Sequence, residues 1–218
     1  MAQDGTSVAA EGASMDDRPN FSNEDLASLV GSRLCHDLIN PLGAIGNGVE
    51  LMAMSGTSES PEMSLIQEAV RDAQARIAFF RIAFGAAAPD QVVALREITA
   101  IVDGLYGKGG RTQVSFAPGR DMPRPELKLA LLMLCCAETA LPLGGQITMV
   151  ANNGGVALQG QSSRLNLDPE LFGLLQGETP RSTPRAADVQ FLLLRQEVVS
   201  QNRRIKFEPG SDRFTLRA

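Results

Sequence analysis

The sequence predicts an α+β chain, a helical hairpin followed by a two-layer domain of helices and short strands. Two observations predict it. Before residue 85, apolar residues recur at spacings of three and four through two long stretches. From about residue 90, helical stretches alternate with short apolar runs bounded by turn residues. The expected organisation is a disordered tail over 1–20, a hairpin over 21–88 and an α/β domain over 89–218.

The tail, "MAQDGTSVAAEGASMDDRPN", is small, polar and acidic. It lacks the basic start and apolar stretch of a signal peptide, so a cytoplasmic protein is expected. Ser22, followed three residues later by Asp25, approaches a capping box and starts the first helix. Leu26, Val30, Leu34, Leu38, Leu42, Ile45, Val49 and Met52 then form one apolar stripe. "SGTSESPE" interrupts it, and Ser60-Pro61 supplies a cap and a first helical position. The second helix repeats the stripe through Ile66, Val70, Ala73, Ile77, Phe80 and Phe84 until Gly85 and Pro89 stop it. A lone hairpin leaves much of this surface uncovered. Pairing of two copies into a dimeric four-helix bundle covers it, so a homodimer is expected.

Beyond residue 90 the reading is a helix at "LREITAIVDGLYG", a strand at "TQVSFAP" and an apolar helix at "RPELKLALLMLCCAETALP". Strands "QITMVAN" and "GVALQGQ" follow, then helices "DPELFGLL" and "AADVQFLLLRQEVVSQN". Strands "RIKFEP" and "DRFTLR" end the chain.

Composition narrows the function. Twenty Lys+Arg against 25 Asp+Glu give a net charge of −5, which repels phosphate backbones, so no nucleic acid partner is expected. No apolar run approaches the roughly 20 residues that span a bilayer, so no membrane is expected either. Three cysteines, Cys35 and the adjacent Cys135 and Cys136, share the chain with a single histidine, too few for a structural zinc site. The adjacent pair reads as small apolar core residues.

That single histidine is His36, within "SRLCHDLINPLGAI". At 100° per residue it projects away from Leu34, Leu38, Leu42 and Ile45, toward Arg33, Asn40, Gly43 and Asn47. Leu29 lies on the same outer face, and Gly43, Gly46 and Gly48 leave the surface low. Pro41 removes a helical N–H and bends the helix at a cost of about 3 kcal/mol. A Ser/His/Asp triad needs the acid behind the ring, whereas Asp37 is splayed by about one residue's rotation. Nucleophilic catalysis by the ring itself is the chemistry that fits. With a reference pKa of about 6.5 the ring is largely neutral near pH 7, as a nucleophile must be. On the residues alone, a plain surface histidine and a functional one both stand.

"HDLINPL" resembles the H-box of two-component sensor histidine kinases, His-Asp/Glu-x-x-Asn/Thr-Pro. His36, Asp37, Asn40 and Pro41 match it position by position. The longer stretch is similar to the ChpT family of histidine phosphotransferases from alphaproteobacterial phosphorelays, whose domain order matches almost the whole chain after the tail. The second domain resembles a histidine-kinase ATPase domain in layout, but a degenerate one. Cys136 stands where that family needs a magnesium-binding asparagine. "LQGQSSRLN" lacks the Asp-x-Gly-x-Gly loop, and "PRAADVQFLLL" lacks the last glycine box.

The resemblance implies a phosphotransferase, with an ATP-dependent kinase or a non-catalytic scaffold for response regulators as alternatives. His36 would take a phosphoryl group from the receiver domain of a hybrid histidine kinase and pass it to response regulators. Asp37 would orient the ring, as the family's acid does. Arg33 would offset phosphoryl charge, and Asn40 would hydrogen-bond the phosphoryl group or a water. No cofactor is expected, because the partner receiver domain supplies the magnesium.

Overall fold

The computed structural model describes residues 31, 38–39, 42–52, 54, 61–107, 109–152, 155–180 and 185–218. The expected tail and the first turns of the first helix lie outside these residues.

Helix α1 is described over residues 42–52. Helix α2, Pro61–Ala83, opens on Pro61, where a missing N–H leaves no intrahelical bond unmade. Val49 of the first helix and Val70 and Ile77 of the second are all buried. Gly46 sits at the contact: a Cβ there would lie 3.3 Å from Gln74 Nε2 and 3.4 Å from Val70 Cγ1. Gln74 Nε2 donates to the Leu42 carbonyl at 3.4 Å. Gly46 therefore serves helix approach and not an open outer surface, which corrects the sequence reading. Gly43 and Gly48 do face open space.

The apolar stripe of α1 also divides. Val49 and half-buried Leu42 face α2, while Leu38, Ile45 and Met52, seven residues apart, are 51%, 50% and 44% exposed. One stripe in the sequence thus holds two seams, because a heptad's two apolar positions diverge toward different neighbours.

The second unit runs β1 (Val92–Val93), α3 (Leu95–Tyr106), β2 (Thr112–Ala117), β3 (Met122–Pro123), α4 (Arg124–Thr139), β4 (Gly145–Asn152) and β5 (Gly155–Gln161). It continues with α5 (Pro169–Leu175), a 3-10 turn at Ala186–Asp188, α6 (Val189–Ser200), β6 (Lys206–Pro209) and β7 (Arg213–Arg217). The main sheet has the order β2-β4-β5-β7-β6, with only β2 and β4 parallel. That parallel pair needs a crossover, and α4 provides it. β1 and β3 form a separate two-stranded ribbon, Val92 opposite Pro123 and Val93 opposite Met122.

α4 is buried nearly all round, from Leu127 to Ala137, because it lies between the sheet, α6 and α2. Its faces meet Ile147, Met149, Val156 and Leu158 of the sheet in one core. Phe79, Ile82 and Ala83 of α2 belong to that same core at 2%, 0% and 0% exposure. Arg124 reinforces the junction by donating to the carbonyls of Arg81 (2.8 Å) and Ala86 (3.0 Å). The core of the α/β unit thus begins inside the hairpin's second helix. At the far side, Phe172 stacks on Phe207 at 4.5 Å between centroids and meets Phe191 edge-on at 5.3 Å.

Candidate functional site

His36, Asp37, Asn40 and Arg33 lie outside the described residues, as do Leu29 and Pro41. Described residues bracket the H-box along the hairpin. On one side, a Cβ at Gly31 would lie 3.7 Å from the Phe84 carbonyl oxygen. On the other, Leu42 accepts from Gln74. Downstream, Gly43 has open space beside it and Asn47 is exposed.

The three positions that the resemblance to sensor kinases would give to a nucleotide all carry structural contacts. Cys136 is fully buried in α4, and burial pushes its thiol well above the ordinary range. A neutral buried thiol offers magnesium no oxygen ligand. In the loop after β5, Ser162 Oγ donates to the Gly144 carbonyl at 2.7 Å, and the Asn166 N–H donates to Ala140 at 2.9 Å. That loop is closed onto the α4–β4 turn. At the start of α6, buried Asp188 accepts from Arg185 Nε at 2.7 Å and Nη2 at 3.3 Å. A carboxylate there opposes phosphate at the helix N-terminus, where glycine N–H groups would have to receive it. These residues do not fit a magnesium nucleotide. No group of three or more His, Cys, Asp or Glu that could hold a metal occurs among the described residues.

Sequence reasoning missed one constellation. A cavity of about 290 Å³ opens where α2, α3, α4 and the start of β2 converge. Tyr106 and Glu138 lie within it, the tyrosine hydroxyl donating to the carboxylate. Burial raises the Glu138 carboxyl above its ordinary value, while Tyr106 and Arg76 pull it down. Burial likewise pushes up the Tyr106 phenol and the Cys135 thiol, so neither ionises near neutral pH. Exposed Arg76, Arg111 and Phe80 stand around the opening. The signal was present in "LALLMLCCAETA", where Glu138 is the only charged residue of an otherwise apolar stretch.

A helical hairpin whose sequence carries an H-box, set against an α/β sandwich, has the layout of a phosphotransfer protein. Comparison with known proteins gives the family. Residues 95–213 match the family model of the histidine phosphotransferase C-terminal domain. The protein phosphotransferase ChpT of Brucella abortus (strain 2308) is 33% identical over 181 residues, covering 79% of this chain and 86% of that one. The solved structure of a bacterial phosphotransferase superposes with a TM-score of 0.65 at 26% identity, covering 91% of this chain and 98% of the other. This chain belongs to the histidine phosphotransferases of phosphorelays. No helix among its described residues is long and apolar enough to cross a membrane.

Proposed function

We propose that His36 is the phosphoryl carrier, loaded by the receiver domain of a hybrid histidine kinase and unloaded by response regulators. A neutral ring nitrogen of His36 attacks the phosphorus of the receiver's phosphoaspartate. The P–N bond forms as the P–O bond to aspartate breaks, and the aspartate leaves as carboxylate. In the second half-reaction another receiver's aspartate attacks the same phosphorus and the ring nitrogen leaves. Such transfer needs mainly positioning and charge compensation, and the magnesium comes with the receiver. Asp37 holds the ring through its other nitrogen, Arg33 offsets the phosphoryl charge, and Asn40 hydrogen-bonds the transferred group.

One observation carries the reading. The chain keeps an H-box histidine, while the magnesium position of its sandwich is a fully buried thiol, Cys136. Phosphate must then reach His36 from a protein and not from ATP, in the cytoplasm where receivers work. The half-exposed Leu38, Ile45 and Met52 support pairing of two hairpins into a four-helix bundle. Incubation with labelled phosphoreceiver tests the proposal: the wild type takes up label and His36→Ala takes none. Equal labelling of both would end it, and labelling of neither would leave only a scaffold.

A further inference from the structure

We propose that the cavity between the hairpin and the sandwich is the second unit's share of the receiver-docking surface, with Arg76, Arg111 and Phe80 as its contact residues. This rests on the phosphotransfer reading above and extends it to a named partner face.

Three observations place it there. First, the cavity's α2 wall carries Arg76, Phe79 and Phe80, between the α2 residues Gln74 and Phe84 whose contacts bracket the H-box. A protein seated on that stretch of the hairpin meets this opening next. Second, Arg76 and Arg111 are both exposed at the opening, Arg76 also acting electrostatically on the Glu138 carboxyl inside. Two exposed guanidinium groups at one opening, on a chain of net charge −5, mark a local reversal of sign. A receiver presents the opposite sign at its phosphorylation site, where carboxylates and the phosphoryl group gather around magnesium. Third, Phe80 is 43% exposed yet held by edge contacts to Phe79 at 6.1 Å and Phe84 at 5.3 Å. A fixed aromatic beside arginines has the composition of an interface anchor.

The buried part of the cavity excludes a different occupant. Glu138 and Tyr106 are already hydrogen-bonded to each other, and burial favours the uncharged form of each. An acidic partner is therefore read by the arginines at the opening and does not enter deeply.

The test uses the full chain, one receiver and the variants Arg76→Glu, Arg111→Glu and Phe80→Ala, with Arg204→Glu beyond the cavity as control. Receiver binding by titration calorimetry and transfer kinetics are both read, after thermal melts confirm folding. Each arginine reversal should raise Kd and KM about tenfold with kcat unchanged, and should flatten the dependence on salt. Arg204→Glu should match the wild type. Unchanged Kd in both arginine variants, an equal loss in Arg204→Glu, or a fall in kcat alone would overturn the proposal. A wild type that binds the receiver but takes no label would instead overturn the phosphotransfer reading, and the Kd values would still decide the docking face.

Discussion

Tyr106, at the end of α3, donates its hydroxyl hydrogen to the carboxylate of Glu138, near the end of α4, inside the cavity that adjoins α2. The bond joins two helices of the sandwich beside the hairpin's second helix. Tyr106→Phe leaves the half-buried carboxyl without that donor and should cost about 1–3 kcal/mol, read as a lower urea midpoint. An unchanged midpoint would show that the bond adds nothing to stability.

The same carboxyl gives a pH signature. Burial raises its folded-state pKa above the ordinary 4.5, outweighing the Tyr106 hydrogen bond and Arg76. The folded chain then binds this proton more tightly than the unfolded chain. Its contribution to stability is full below pH 4.5 and is lost as pH rises through the raised value. Glu138→Gln should remove that loss, so the difference in stability between wild type and variant should grow toward neutral pH. Parallel profiles would contradict the assignment.

Two glycines predict opposite outcomes for the same substitution. Gly160 on β5 pairs with Phe214 on β7, and a Cβ there would overlap the Phe214 ring. Gly160→Ala should cost at least about 1–3 kcal/mol through overpacking. Gly43 on α1 has nothing within 4 Å of such a Cβ. Gly43→Ala should raise stability by about 0.5–1 kcal/mol by removing glycine from a helix. Melting temperatures that move in the same direction would contradict this.

Lys128 Nζ and Glu197 Oε2 pair at 3.0 Å between α4 and α6, with side chains only 14% and 12% exposed. Gln201 Nε2 also donates to Glu197, at 2.9 Å. Glu197→Ala strands the lysine charge and should cost about 3–5 kcal/mol, whereas the double change Lys128→Met/Glu197→Leu should cost much less. Additive losses in that double-mutant cycle would contradict it.

Ile45 lies in the middle of the exposed seam of α1, flanked by Leu38 and Met52. Ile45→Asp should convert a dimer into a folded monomer in sedimentation equilibrium, while Val150→Asp on the outer sheet face should not. A wild type that sediments as a monomer would remove the four-helix bundle.

Most elements were legible because their apolar periods were long. The β4–β5 pair and the closing β7 appear within a residue of where the spacing puts them, and α4 ends three residues before its expected end. The β1–β3 ribbon was not legible, since two-residue strands carry no period. Nor was the division of the hairpin's surface. Val49 and Ile45 lie on one stripe in the sequence, and only the position of α2 decides which of them is covered. Phe79, Ile82 and Ala83 looked like more of the same hairpin, but the sandwich core claims them. The burial of Cys136 was legible, because it stands in a long apolar run. The cavity was not, because Arg76, Arg111, Tyr106 and Glu138 come from four separated segments that folding brings together.

The central claim is that phosphate passes through His36 between two proteins. Its most direct test loads the chain from one labelled phosphoreceiver, removes that donor, and adds a second, unlabelled receiver. The wild type should hold acid-labile label after the first step and lose it to the second receiver after the next, while His36→Ala should hold none at any stage. Label that reaches the second receiver equally well through His36→Ala, or that survives acid on the wild type, would contradict a phosphohistidine carrier.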